Sequence, residues 1–151
     1  MAGNHNFTIE HNFSEPFENI YDVILDFKKF GHHHPHMKEI KIVTKHLPNK
    51  IEYEINEEVV LYGFIKLRPN YKATVLEVEK NKHIQYLSQV KKNIFLTIDF
   101  TFIENKEKRT TKVIEKVDVK SNKFIASIFL SLLKKAHVKA FQNFSTPLFT
   151  A

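Results

Sequence analysis

Hydrophobic and polar positions change their period several times along the chain. Residues 5–13 alternate, with Phe7, Ile9 and Phe13 on one face, and predict a strand. Phe17, Ile20/Tyr21, Ile24 and Phe27 then recur at helical spacing. Ser14 offers an N-cap for that helix, Pro16 is tolerated in its first turn, and Glu15 and Glu18 suit its positive end. Lys28 and Lys29 suit the C-terminus, and Gly31 reads as the stop. His32–Met37 is a short connection with room for one helical turn.

From Lys38 the period is two. Ile40 and Ile42 mark one strand, closed by the turn signal Leu47-Pro48-Asn49-Lys50. Ile51, Tyr53 and Ile55 open the next, which runs to about Tyr62, with Gly63 as a bulge or bend. Arg68-Pro69-Asn70 is a turn or an edge interruption. Strands follow at Tyr71–Glu79, around Ile84, Tyr86 and Ser88, and at Ile94, Leu96, Ile98, Phe100 and Phe102, the clearest alternation in the chain. Turns at Lys80-Asn81-Lys82, Lys91-Lys92-Asn93 and Glu104–Arg109 separate them from a last strand with Val113, Glu115, Val117 and Val119 on one face. No helix intervenes, so the strands form an antiparallel meander.

The closing segment, roughly Asn122 to Thr146, is one long helix ended by Pro147. Its wide apolar stripe includes Phe124, Ile125, Ile128, Phe129, Leu132, Leu133, Ala136, Ala140, Phe141 and Phe144, with Lys134, Lys135 and Lys139 outside. The order predicts an α+β domain over residues 1–151, in which a curved antiparallel sheet of about seven strands grips the last helix. One helix cannot fill so large a sheet, so a cavity is expected between the two.

Composition narrows this picture. The chain has 151 residues, 42% hydrophobic and 13% aromatic, with 14 Phe and no Trp, which supports a packed core rather than disorder. It has no Cys, which excludes disulfides, thiolate nucleophiles and thiolate metal sites. With 3 Gly in all, a phosphate-cradling glycine loop is nearly ruled out. No secretory signal is visible, and the longest apolar run, residues 124–133, is short of the ~20 residues of a membrane span. A soluble cytoplasmic protein is the expectation. The net charge of +6 raises nucleic acid as a partner, yet only Arg68 and Arg109 are arginines and the lysines are scattered. The reading is solvated lysine-rich faces and no specific nucleic-acid partner.

The segments SEPFENIYDVILDFKKFGHHHPHMKEIKIV at 14–43 and KFIASIFLSLLKKAHVKAFQNF at 123–144, with the meander between them, resemble the START/Bet v 1-like (SRPBCC) helix-grip superfamily. The superfamily includes polyketide cyclases, lipid-transfer domains and plant hormone-binding proteins. The resemblance implies two short helices between the first two strands and an apolar cavity under the last helix. It also implies a small hydrophobic or amphipathic ligand: a lipid, an isoprenoid or a polyketide-like compound. Carriers and enzymes both occur on this fold, so it does not choose between them.

Candidate chemistry is sparse. His32, His33, His34 and His36 cluster, but Pro35 interrupts them and no further ligand stands at a set spacing. The reading is a polar, exposed connection without a metal site; the resemblance implies a place near one cavity end, where gating is as good a role as metal binding. His46, His83 and His137 have no partner at a diagnostic spacing. Glu115 alternates with valines and so points inward, where burial would raise its pKa and make it an acid, a base or a ligand anchor; the other reading is a bulge, or a place near the cavity mouth where the carboxylate meets water. Glu57 has a weaker claim of the same kind. The expected ligand contacts are Tyr53, Tyr86, Ile98, Phe100, Glu115, Phe129 and Leu133, with no catalytic residue beyond the candidate Glu115 and no cofactor. Ligand binding is the leading function. A cyclase or dehydratase using Glu115, and an interaction module with a vestigial cavity, are the alternatives.

Overall fold

Residues 2–47, 49–61, 63–91 and 93–144 are described by the computed structural model, without the side chains of 2–4, 45–47, 61, 91, 123–125, 129 and 144. The expectations for Pro48, Tyr62, Lys92 and Pro147, and for the side chains of Phe124, Ile125, Phe129 and Phe144, lie outside the described residues.

In chain order the elements are β1 (Ala2–Phe13), α1 (Phe17–Leu25), α2 (Phe27–His33), β2 (Met37–Leu47), β3 (Lys50–Glu57), β4 (Val59–Leu61), β5 (Ile65–Leu67), β6 (Asn70–Glu79), β7 (His83–Lys91), β8 (Ile94–Asn105), β9 (Thr110–Asn122) and α3 (Lys123–Phe144). Seven strands form one antiparallel sheet in the order β1-β9-β8-β7-β6-β3-β2, and β4 pairs with β5 apart from it. The helical pair α1–α2 therefore carries the chain from one edge of the sheet to the other. Alternation sorts the faces as expected. On β8, Ile94, Leu96, Ile98, Phe100 and Phe102 are buried while Phe95 and Ile103 are exposed. On β9, Val113, Glu115, Val117 and Val119 are buried. The edge strand β2 shows three register irregularities against β3, a common way of discouraging edge-to-edge pairing.

Three local expectations are corrected. Ser14 is not the cap of α1: Pro16 stands at the N-cap without a side-chain bond, and α2 begins separately where the Asp26 carboxylate accepts the Lys28 N–H at 3.1 Å. Gly31 does not stop a helix but lies buried inside α2. A Cβ there would come 1.9 Å from Ile40 Cδ1 and 3.2 Å from Met37 Sδ, so glycine lets α2 lie directly on β2. The strand beginning at Ile51 does not continue to Tyr62. It ends at Glu57, where the Glu57 N–H bonds the Pro69 carbonyl at 3.0 Å and the Glu58 N–H bonds the His36 carbonyl at 2.9 Å. Gly63, at φ +79°, supplies the expected bend, in the turn of the β4–β5 hairpin.

α3 packs against β1, β9 and α2. Ala126, Ala136, Ala140 and Phe141 are buried and Lys134, Lys135 and Lys139 face outward. The small side chains let the helix approach closely, while the aromatic core fills in beneath it: neighbouring rings among Phe30, Tyr86, Phe100 and Phe141 stand with centroids 4.8 to 6.3 Å apart. Among the described residues no helix is long and apolar enough to cross a membrane.

Candidate functional site

Between α3, the β4–β5 hairpin and the inner faces of β6, β7 and β8 lies a cavity of about 470 Å³, within the usual range for small-molecule sites. Its walls are mostly apolar. Ile94, Leu96 and Ile98 of β8 face Ile128, Leu132 and Leu133 of α3, and Ala73 and Val90 lie between. The hairpin contributes Val59 and Leu67, and α2 contributes Phe27 and Phe30. The polar groups on the wall include His34 and His36, which join α2 to β2, together with Glu57, Tyr71 and His137.

A buried ionic network stands behind that wall. The Glu115 carboxylate is fully buried; it accepts a hydrogen bond from His11 Nε2 at 3.0 Å and another from His137 Nδ1. Burial alone would push the Glu115 pKa up, but the two histidines outweigh it and hold the carboxyl below its ordinary value. The expectation of a raised pKa is therefore corrected, because it counted the apolar strand and not the histidines brought to it. His11 is stacked on Phe141 with centroids 3.7 Å apart. On the cavity wall itself, Tyr71 donates its hydroxyl to Glu57. Burial raises the Glu57 pKa, and the Tyr71 hydroxyl and nearby His137 oppose this without cancelling it.

No family model matches the chain, and no curated protein does. Solved structures do match. Ara h 8.0201 aligns over 99% of this chain and 100% of its own, with a TM-score of 0.71 at 11% identity. The di-domain aromatase/cyclase StfQ of the steffimycin pathway aligns over 94% of this chain and 49% of its own, with a TM-score of 0.74 at 9% identity. The ZhuI aromatase/cyclase from Streptomyces sp. R1128 aligns over 95% of this chain and 92% of its own, with a TM-score of 0.71 at 8% identity. The fold is the START/Bet v 1-like helix grip.

Within this helix grip, Tyr86, Ile98 and Leu133 are on the cavity wall. The Tyr86 hydroxyl donates to the Ile24 carbonyl, so its proton is not free for a ligand. Tyr53, Phe100 and Glu115 share the inward face but stand behind the wall. Tyr53 packs on Phe27 with centroids 5.3 Å apart, and Phe100 packs between Phe30, Tyr86 and Phe141. Phe129 is outside the described side chains. The histidine segment is not the exposed connection expected of it: His33 and His34 are each 7% exposed, and His34 lines the cavity. Sequence reasoning missed His11, His137 and Tyr71. Signals for the first two existed: His11 shares the parity of Ile9 and Phe13, and His137 lies four residues from both Leu133 and Phe141 on the apolar stripe of the last helix.

The buried His34 makes the helix grip acid-sensitive. Burial lowers its pKa well below the ordinary 6.5, and His137 and His36 add to this. The unfolded chain thus takes up a proton near pH 6.5 that the folded ring refuses. Stability is full above that pH and is lost as pH falls below it. Between about pH 7.5 and 5.5, one such ring removes on the order of 1 kcal/mol. Urea denaturation at the two pH values should show this loss in the wild type and a loss smaller by that amount in His34→Gln. Equal pH slopes in the two proteins would remove His34 as the cause.

Proposed function

We propose that the chain binds a small hydrophobic or amphipathic molecule in the cavity between the sheet and α3. The observation that carries this reading is the cavity of about 470 Å³, apolar over most of its wall and with its polar groups drawn from few positions. Burial of ligand surface there contributes about 25 cal/mol per Å², and the polar groups set orientation. An open interior also speaks against an interaction module with a filled core.

An apolar fluorescent probe should bind with micromolar-range affinity and be displaced by fatty acids or sterol-like compounds. Ala73→Leu places three extra carbons in the void from a buried position on β6. It should weaken the probe about tenfold or more, equivalent to about 1.4 kcal/mol, with the circular dichroism unchanged. A wild type that takes up no probe at any concentration fails the reading.

A cyclase or dehydratase is the second reading, favoured by the His137–Glu115 pair at the wall and by the two aromatase/cyclases of like fold. Glu115 would then act through His137, since the carboxylate itself does not reach the cavity. Mass spectrometry of a polyketide-like ligand recovered after incubation separates the two: a carrier returns it unchanged, and a cyclising dehydratase returns it lighter by one water.

A further inference from the structure

The network His11–Glu115–His137 has no evident structural necessity. Buried ion pairs are often replaceable by well-packed apolar side chains without loss of stability. Here the network ends at a cavity, and its geometry determines what the last histidine can offer there. Glu115 accepts the proton of His137 Nδ1, so in the neutral ring Nε2 is left as a lone pair. The hydrogen bond to the Glu115 carboxylate polarises the ring and makes Nε2 a stronger hydrogen-bond acceptor. The bond from His11 Nε2, at 3.0 Å, satisfies the other carboxylate oxygen, so Glu115 keeps its charge without help from a ligand.

His34 offers the opposite. Its Nδ1 accepts the backbone N–H of His36 at 3.1 Å, so the proton of the neutral ring sits on Nε2 as a donor. The two rings stand perpendicular with centroids 5.7 Å apart, and Phe30 packs against both, at 6.2 Å from His34 and 5.5 Å from His137. The same wall therefore presents one acceptor and one donor on neighbouring, immobilised rings. The other titratable or charged groups on the wall are Glu57, already bonded by Tyr71, His36, whose ring is 5.6 Å from His34, Tyr86, whose hydroxyl donates to the Ile24 carbonyl, and Arg68, whose charge is paired with Glu58 at 3.3 Å.

We infer that this end of the cavity recognises a neutral, acidic hydroxyl, a phenol or enol carried by an otherwise apolar ligand, which donates to His137 Nε2 and accepts from His34 Nε2. A hydroxyl satisfies both rings. A ketone satisfies His34 alone. A carboxylate brings a negative charge beside Glu57 with Glu115 behind. An acidic O–H is preferred over an aliphatic alcohol because its bond to a carboxylate-backed imidazole is the stronger one. This rests on the ligand-binding reading above and adds the polar group that the ligand must carry.

The test uses the full chain and three fluorescent compounds on one ring system: 2-naphthol, its near-isostere 2-methylnaphthalene, and the charged 2-naphthoate. 2-Naphthol should bind about tenfold more tightly than 2-methylnaphthalene, the worth of one good hydrogen bond, although water solvates the free naphthol better. Excited naphthol is a far stronger acid, so the bound molecule should emit as naphtholate because its O–H sits on a base. In His137→Leu the preference and the naphtholate emission should both vanish while 2-methylnaphthalene still binds. His34→Leu leaves the His137–Glu115 pair in place and covers the case in which His137→Leu does not fold. In it the preference should shrink while the naphtholate emission persists. Equal affinity for naphthol and methylnaphthalene in the wild type overturns the inference, as does tighter binding of naphthoate than naphthol. A preference and emission unchanged in the histidine variants do the same. In each of these cases the apolar compound still binds, so the ligand-binding reading survives. Failure of all three compounds, together with the apolar probe, sinks both.

Discussion

Glu115→Ala is expected to lower the unfolding free energy by about 3–5 kcal/mol, one of the two largest single-residue effects in this molecule. The carboxylate is fully buried and holds two histidine N–H groups, one from β1 and one from α3. Removing it leaves both donors in an apolar surround without a partner, and each such group costs about 1–3 kcal/mol. It also unties α3 from β9 at that point. Urea denaturation measures the loss. If the cause is the stranded donors, the triple variant His11→Leu/Glu115→Leu/His137→Leu should recover most of it, because no polar group is left unsatisfied. A loss below about 1 kcal/mol for Glu115→Ala would contradict the account. The pH dependence has a definite sign. The folded pKa of Glu115 lies below its ordinary 4.5, so its stabilisation is present above that pH and is lost as pH falls through the folded value.

Phe30→Ala should cost a similar amount, about 3–5 kcal/mol. Phe30 has no exposure, and its ring packs on Tyr86 at 5.4 Å, His137 at 5.5 Å and Phe141 at 6.0 Å. It joins α2 to the sheet and to α3. Because it also borders the cavity, the space it vacates adds to an existing void and the neighbours have little means of closing it. Phe95→Ala is the control. The same change at a ring 45% exposed on the outer face of β8 should cost no more than about 0.5 kcal/mol. Similar losses at the two positions, read from denaturation midpoints, would mean that the inner cluster does not hold the fold. Phe30→Ala should also enlarge the set of apolar probes accepted and weaken the discrimination that depends on His34 and His137.

The faces of the strands were legible because strand side chains alternate with a period of two, whatever the strand pairs with. That rule put Ile98, Phe100, Val113, Glu115 and Val117 inside, and the helical spacing placed the last helix across them with its lysines outward. The order of elements was enough to indicate the helix grip. What alternation cannot do is tell a side chain that borders a void from one that fills the core. Ile98 and Phe100 share a face two residues apart, yet only Ile98 reaches the cavity, because Phe30, Tyr86 and Phe141 close over Phe100. Gly31 read as a helix stop since the approach of Ile40 to it exists only after α2 folds onto β2. Glu115 is the sharpest case. Alternation with Val113 and Val117 favoured an inward carboxyl, and its burial bears that out. Its charge follows from contacts that appear only on folding: the β1–β9 register sets Ile9 opposite Glu115, which brings His11 alongside, and α3 delivers His137 from the other side. A pKa depends on the charges within a few ångströms, and those distances are set by pairing and packing between segments that no local pattern connects.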